Sequence, residues 1–273
     1  MSYLVIGSSS YLGKNLIQYL NQKNLTPSGV SRSKPEGISF AFEKFDDEFD
    51  LIKHMNKHQT KYVFFTLNSY YKKPTKHQKE EMHFINYELP IKYLSTLKEN
   101  KKDAIILFFS SYFNFMEVPE ESQAYKETKL MFSKYLHKNN VPNSKELITS
   151  DIFGLNDHRN KIFNILIKNV VDGNSIEIKN KENFVNLVYI QKLLDFSFEF
   201  IVKNNKRDIF LNPHKISIIN LYKLIKDIDE SNISSSEYYF KKEDRLNIKP
   251  NNYPGLLIND ISYVINEYKN EFQ

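Results

Sequence analysis

The sequence predicts an α/β protein built on a doubly wound parallel sheet, with a smaller C-terminal α/β lobe. Three observations predict it. Short apolar strands alternate with amphipathic helical segments, the first strand–helix junction is a glycine turn, and a Tyr-x-x-x-Lys pair opens a helical pattern shortly after a strand ending in two serines.

The elements follow in order. Met1-Ser2-Tyr3-Leu4-Val5-Ile6 is a short apolar strand, Gly7-Ser8-Ser9-Ser10-Tyr11-Leu12-Gly13 a tight turn, and residues 14–20 an amphipathic helix. A second strand is expected over 27–30, a short helix over 51–58, and a third apolar strand over 62–66. A long helix over 79–98 carries Pro90, which removes one backbone donor and is expected to kink it. Strands over 104–109 and 147–152 and helices over 125–137 and 162–171 continue the alternation. The domain boundary is expected at residues 153/154, with a dinucleotide-binding domain over 1–153 and a substrate lobe over 154–273 that interleaves with it.

The chain has 273 residues, enough for one large α/β domain and a smaller lobe. It has no cysteine, which excludes disulfides and thiolate metal sites, and no metal is expected. The formal charge of +5 is modest and does not suggest nucleic-acid binding. The strand pattern begins at Ser2, so no signal peptide is expected, and no apolar run approaches the ~18 residues of a membrane span. A cytoplasmic protein is expected.

Chemistry concentrates at two places. In the glycine turn, Gly7 allows the reversal, Gly13 allows the helix to pack closely on the strand, and the N–H groups of the first helical turn face an anion such as a pyrophosphate. Its spacing is G-x-x-S-x-x-G, so Ser10 stands at the middle glycine of the usual fingerprint. After the second strand come Ser31-Arg32-Ser33-Lys34. The acid that would hold ribose hydroxyls is missing and Arg32 suits a 2′-phosphate, so NADP(H) is expected over NAD(H).

The second place is Ala124-Tyr125-Lys126-Glu127-Thr128-Lys129. A spacing of four puts Tyr125 and Lys129 on one helix face. Tyrosine ordinarily titrates near ~10, so it becomes a proton donor and acceptor at neutral pH only beside a positive charge. In a chain with 18 tyrosines such a pair also arises on solvated helix faces. The glycine turn weighs against that reading.

With these residues in place the chain resembles the extended short-chain dehydrogenase/reductase family, the NAD(P)-dependent epimerase/dehydratase group that modifies nucleotide sugars. The resemblance runs over residues 1–224. Lys61-Tyr62-Val63-Phe64-Phe65-Thr66 is similar to the fourth strand, Ile85-Asn86-Tyr87-Glu88 to a helix start with its asparagine, and Leu107-Phe108-Phe109-Ser110-Ser111 to the strand delivering the catalytic Ser or Thr. Asp151-Ile152-Phe153-Gly154-Leu155-Asn156-Asp157 is similar to a segment with Asn where Asp151 stands, residues 184–193 to one with Arg where Val185 stands, and residues 216–221 to a helix start.

The resemblance implies a Rossmann fold, a catalytic Ser111, Tyr125 and Lys129, and a cofactor site of Gly7, Ser10, Tyr11, Leu12, Gly13, Arg32, Thr66, Asn86, Tyr125 and Lys129. Ser111, Tyr112, Asp151, Arg159 and Lys161 are the implied substrate contacts. Val185 cannot neutralise a diphosphate, which leaves Arg159, Lys161 or Lys181. Tyr125 follows Ser111 by only 14 positions, which shortens the loop that roofs the sugar. Where related 4,6-dehydratases place an Asp-Glu pair this chain has Tyr112 and Phe113, and it lacks the cysteine of the double epimerases. What remains is hydride chemistry at one carbonyl, either a net reduction or a reversible C4 epimerisation. Arg32 favours the first, so the resemblance implies an NADPH-dependent 4-ketoreductase acting on a nucleotide-linked 4-keto-6-deoxy sugar, for deoxysugar and surface polysaccharide biosynthesis. A C4 epimerase that retains NAD is the second reading, and a non-catalytic dinucleotide sensor, motivated by Ser10, Asp151 and Val185, the third. A homodimer through the helices around Tyr87 and Phe132 is implied.

Other features have plainer readings. His54 and His58 are four apart without a third ligand nearby, so a solvated helix face is expected. Tyr70-Tyr71 and Tyr238-Tyr239-Phe240 are expected to serve packing.

Overall fold

The computed structural model describes every residue except 1, 47, 48, 102, 140, 142, 179–182, 204–207, 211–213, 231–240, 243–256 and 273. Lys181, the Tyr238-Tyr239-Phe240 cluster and most of the serine-rich loop before it therefore lie outside the described residues. The strands are β1 (Ser2–Ile6), β2 (Pro27–Ser31), β3 (Ala41–Lys44), β4 (Thr60–Phe65), β5 (Ile105–Ser111), β6 (Ser144–Thr149), β7 (Asp151–Phe153), β8 (Phe184–Val185), β9 (Leu187–Tyr189), β10 (Asp208–Phe210), β11 (His214–Ser217) and β12 (Lys241–Lys242). The helices are α1 (Tyr11–Gln22), α2 (Leu51–His58), α3 (Lys76–His83), α4 (Leu89–Asn100), α5 (Glu120–Asn139), α6 (Ile162–Val171), α7 (Ile190–Lys203), α8 (Ile218–Asp229) and α9 (Leu257–Phe272).

The chain divides into two compact units, Met1–Ile148 with Leu194–Ile209, and Thr149–Leu193 with Phe210–Gln273. The division falls at 148/149 rather than at 153/154. The reason is pairing: β7 bonds to β9, not to the large sheet, while the chain returns through α7 and β10, and β10 extends that sheet.

The first unit holds a seven-stranded sheet in the order β10-β6-β5-β4-β1-β2-β3. The pairs β1–β2, β1–β4, β2–β3 and β4–β5 are parallel, with Leu4 opposite Ser28 on one side and Val63 on the other. The crossover lies between β3 and β4, which flank β2 and β1, so the doubly wound expectation holds. Strand β1 is central and buried on both faces, which explains why it reads as a continuous apolar run rather than an alternating one. Leu4 and Ile6 point to a core shared with Met55 of α2, Leu94 and Leu97 of α4, and Phe132 and Leu136 of α5. Tyr3 points the other way, stacking on Tyr62 at 5.3 Å and packing against Phe198 of α7, which also meets Tyr19 of α1.

The helix expected over 79–98 is divided just before Pro90. Residues 76–100 run as α3, a π-helical turn over Phe84–Glu88, and α4 with the proline in its first turn, where a missing N–H costs least. The Leu89 N–H bonds to Phe84 O, five residues back. Helix α5 begins at Glu120, five residues before the expected start, with Glu120 and Glu121 at its positive end.

His54 corrects the expectation of a solvated face. Its side chain is fully buried, with Nδ1 2.7 Å from Glu43 Oε2 and Nε2 3.0 Å from Ser28 Oγ, so it ties α2 to β2 and β3. Two strands to the N-terminal side supply the partners, one each, and helical spacing alone could not reveal them.

The second unit is built around Phe153, Phe163, Leu166, Leu187, Ile216, Leu221 and Ile261. Strand β7 pairs with β9 in parallel, and β11 pairs with β8 and β12 in antiparallel fashion. Val185 is buried in this core, opposite Ile216 across the β8–β11 pair. No helix among the described residues is long and apolar enough to cross a membrane.

The approach of α1 to β1 is the tightest constraint in the first unit. A Cβ on Gly13 would overlap the Gly7 carbonyl oxygen and lie 2.9 Å from Thr66 Oγ1. Gly13→Ala is therefore expected to lower stability by about 1–3 kcal/mol. Chemical denaturation checks this, and an unchanged unfolding midpoint contradicts it.

Candidate active site

The glycine turn is locked by backbone hydrogen bonds to β2 and by the short polar side chains of Thr66 and Ser10. Gly7 has φ +91, a conformation that favours glycine. Its N–H and that of Ser8 both bond to Val30 O, at 2.7 and 3.1 Å. Thr66, just past β4, donates its hydroxyl to Ile6 O at 2.9 Å and Gly7 O at 3.1 Å, and accepts from Ser10 Oγ at 3.3 Å. Thr66 thus holds the turn in shape.

Ser10 has φ −68 and ψ 159, a conformation that requires no glycine. It is the N-cap of α1, where its hydroxyl accepts from Gly13 N at 3.0 Å. Tyr11 and Leu12 form the first helical residues. No acidic side chain lies in that turn, so the positive end of α1 is not neutralised from within the helix. Arg32 is exposed directly after β2 and lies within electrostatic reach of the Tyr71 phenol. The Tyr71 phenol in turn donates to Glu81 at 2.8 Å, which pushes its pKa up. Lys34 extends over the Phe40 ring, 6.0 Å from its centroid. A glycine turn and a helix N-terminus with no acidic side chain in its first turn form the donor set that a dinucleotide diphosphate needs. The residues fit that group.

Ser111 ends β5, buried, and its Oγ accepts from Phe113 N at 3.2 Å. That bond uses an oxygen lone pair and leaves the hydroxyl proton to donate. Tyr112 begins a 3-10 turn over Tyr112–Phe115 and is also buried. Tyr125, on the first turns of α5, is buried to 9% exposure between the edges of two rings, Tyr70 at 5.1 Å and Phe113 at 6.0 Å. Tyr70 is itself placed by Ser122, 3.1 Å from its hydroxyl. The expectation that Tyr70 serves packing is met, and what it packs is Tyr125.

Lys129 lies one turn further along α5 at 7% exposure, with Nζ donating to Phe109 O at 3.2 Å. Burial pushes its ammonium down to about 8, and the negative charge of Glu146 works against that fall. Asn86 sits in the π-helical turn. Its amide accepts from Ser69 N at 3.0 Å and donates to Ser69 O at 2.8 Å and Thr128 Oγ1 at 3.2 Å. These bonds clamp the loop after β4 onto α5, so Asn86 acts on the site by placing that loop.

The remaining candidates belong to the second unit and are described within it. Asp151 and Lys161 pair with each other at 3.2 Å. Arg159 forms a two-pronged pair with buried Asp157, at 2.6 Å from Nε and 2.7 Å from one terminal nitrogen, which also donates to Ile152 O at 3.0 Å. Asp157, Arg159, Asn160, Asn164 and Lys168 line a cavity of about 380 Å³. Sequence reasoning missed the contact of Phe113 with Tyr125 and the hold of Asp157 on Arg159, because neither a ring contact made from a loop nor a clasp between side chains follows from periodicity.

Residues 3–209 match the model of the NAD dependent epimerase/dehydratase family, and the chain belongs to that family. No curated protein matches it in sequence. Among solved structures with the same fold are UDP-glucose 4-epimerase from Thermotoga maritima with UDP-glucose (13% identity, TM-score 0.77, all of both chains covered) and UDP-glucuronic acid 4-epimerase from Bacillus cereus with UDP-glucuronic acid and NAD (16%, 0.73, all of both chains). A third is dTDP-glucose 4,6-dehydratase from Bacillus anthracis with NAD (11%, 0.75, 99% of this chain and 97% of that one).

The Lys129 ammonium is charged below about pH 8 and loses its proton as pH rises through that value. Because the folded value lies below the ordinary 10.5, the stability cost of burying the charge is present below about pH 8 and is relieved between there and 10.5. If the cofactor binds the charged form, its affinity should weaken about tenfold between pH 7 and pH 9. Fluorescence titration with the reduced dinucleotide checks this, and equal affinity at both pH values contradicts it.

Proposed function

We propose that this chain reduces the C4 keto group of a nucleotide-linked 4-keto-6-deoxy sugar with NADPH. The reading is carried by one observation: a buried lysine stands one helical turn from a buried tyrosine, in the same unit as a serine at a strand end and a glycine turn fit for a dinucleotide. A nicotinamide dinucleotide, when bound at the turn, supplies a hydride equivalent.

The residues of the chain do the rest. Tyr125 gives its phenolic proton to the carbonyl oxygen as negative charge develops there. Ser111, with its oxygen already engaged by Phe113 N, donates its own proton to the same oxygen and orients it. Lys129 stabilises negative charge on the phenolate and would hold the nicotinamide ribose. Tyr70 and Phe113 hold the phenol ring, and Tyr112 and Phe113 offer no carboxylate for an elimination, which supports reduction over dehydration.

Arg32 would take the 2′-phosphate. In the second unit both Arg159 and Lys161 are paired with carboxylates, and Arg159, held by Asp157, is the candidate for the substrate diphosphate because it lines the cavity. The same reading places the protein in the cytoplasm, in deoxysugar and surface polysaccharide biosynthesis, as a homodimer. Exposed Phe84 and Met131, beside the π-helical turn and on α5, support that last point. The second reading, an NAD-retaining C4 epimerase, is favoured by the NAD and UDP-sugar complexes named for the structures of like fold. It predicts protein purified with bound NAD and activity without added cofactor.

The test is NADPH oxidation, with NADH as control, against dTDP-, CDP-, GDP- and UDP-linked 4-keto-6-deoxy sugars. Turnover with one of them supports the reductase, and silence across the panel from folded, NADPH-binding protein contradicts it. Tyr125→Phe should lower turnover by ~10²-fold or more with little change in cofactor affinity. Arg32→Ala should weaken NADPH binding about tenfold and leave NADH binding near its original value. Equal losses for both cofactors would contradict the assignment of Arg32.

A further inference from the structure

Glu146 is a carboxylate in the middle of a sheet. It lies on β6 at 2% exposure, under the helix that carries the reactive pair. Ser133 Oγ donates to its Oε2 at 3.0 Å, and His137 Nε2 lies 3.3 Å from the same oxygen. The other oxygen, Oε1, is buried and makes no hydrogen bond. A carboxylate held this way costs several kcal/mol unless an opposite charge lies within the same low-dielectric region.

The helix supplies that charge. Tyr125, Lys129, Ser133 and His137 follow one another at intervals of four, so they form one stripe along α5. Ser133 and His137 reach Glu146 from this stripe, and the residue one turn before Ser133 is Lys129. Lys129 is as buried as its partner, and its ammonium has three protons with one hydrogen bond given to Phe109 O. Both groups are buried beneath a single helix, and opposite charges that share such a region leave each less costly than it would be alone.

We propose that Glu146 is the buried counter-ion of Lys129, a positioning residue whose carboxylate, fixed by Ser133 and His137, keeps the lysine ammonium charged and in place beside Tyr125. The titratable groups set against Glu146 among the described residues are Lys129 and His137, both on α5. The Coulomb effect of Glu146 on Lys129 has the required sign, opposing the effect of burial. The proposal rests on the reading of Tyr125 and Lys129 as the reactive pair only for its catalytic consequence. The pairing itself is a property of the protein without cofactor or substrate.

Protein carrying ¹³C at lysine Cε, free of cofactor, is titrated by NMR, with Lys129→Met used to assign the resonance. Glu146→Gln keeps the shape and the Ser133 hydrogen bond and removes the charge. The Lys129 midpoint should fall by about 1 unit in that variant, and Glu146→Asp should retain most of the wild-type value. An unchanged midpoint in Glu146→Gln overturns the proposal.

Thermal unfolding at neutral pH gives a second readout that does not need Glu146→Gln to be stable alone. In the Lys129→Met background, where Glu146 has lost its counter-ion, adding Glu146→Gln should raise Tm by about 3 °C or more. In the wild-type background the same substitution should lower it. A loss of stability in both backgrounds would mark Glu146 as a packing residue and overturn the pairing. Turnover by the wild type with an unmoved midpoint would leave the reductase reading standing and sink the counter-ion, whereas a moved midpoint without turnover on any keto sugar would do the reverse.

Discussion

The first unit depends on how closely α1 approaches β1. The contact between Gly13 and the Gly7 carbonyl leaves no room for a side chain, and it is secured from a third element by Thr66, whose hydroxyl bonds both Ile6 O and Gly7 O. Strand β4 must therefore pair beside β1 for the turn to hold its shape, and the sheet order is what brings Thr66 there. The same arrangement leaves the N-terminus of α1 without an acidic neighbour in its first turn, the condition under which a helix end favours an anion.

A second constraint acts on the other half of the site. Lys129 is held in a region with little water, where its charge is costly, yet a neutral amine there would do little for the neighbouring phenol. The helix resolves this by presenting polar residues at every fourth position over a buried carboxylate, while its other positions, such as Phe132 and Leu136, pack against the apolar core. The position of Tyr125 is maintained by ring contacts with Tyr70 and Phe113 and by the clamp that Asn86 places on the loop carrying Tyr70.

Much of this was legible in the sequence because it rests on local rules. The βα turn, the apolar runs of β1, β4 and β5, and the spacing of Tyr125 and Lys129 follow from backbone geometry and periodicity, and the structure places each where the pattern puts it. The unit boundary expected at 153/154 differs from the observed 148/149 because β7 follows β6 after a single residue, and strand pairing alone reveals that it belongs to another sheet. His54 was misread because its partners, Ser28 and Glu43, come from two other strands. Glu146 falls just outside the strand expected over 147–152, and nothing in its neighbours in sequence points to Ser133 or His137. Contacts between distant segments are the part that periodicity does not encode.

The account places hydride arrival at the sugar C4 carbonyl and proton arrival from Tyr125 on its oxygen. The most direct test uses NADPH deuterated at C4 of the nicotinamide, with a keto sugar that the protein turns over, and locates the label in the product by NMR. The account predicts one deuterium on sugar C4, with label transfer falling in parallel with turnover in the Tyr125→Phe variant. An epimerised product formed without uptake of the label would contradict it.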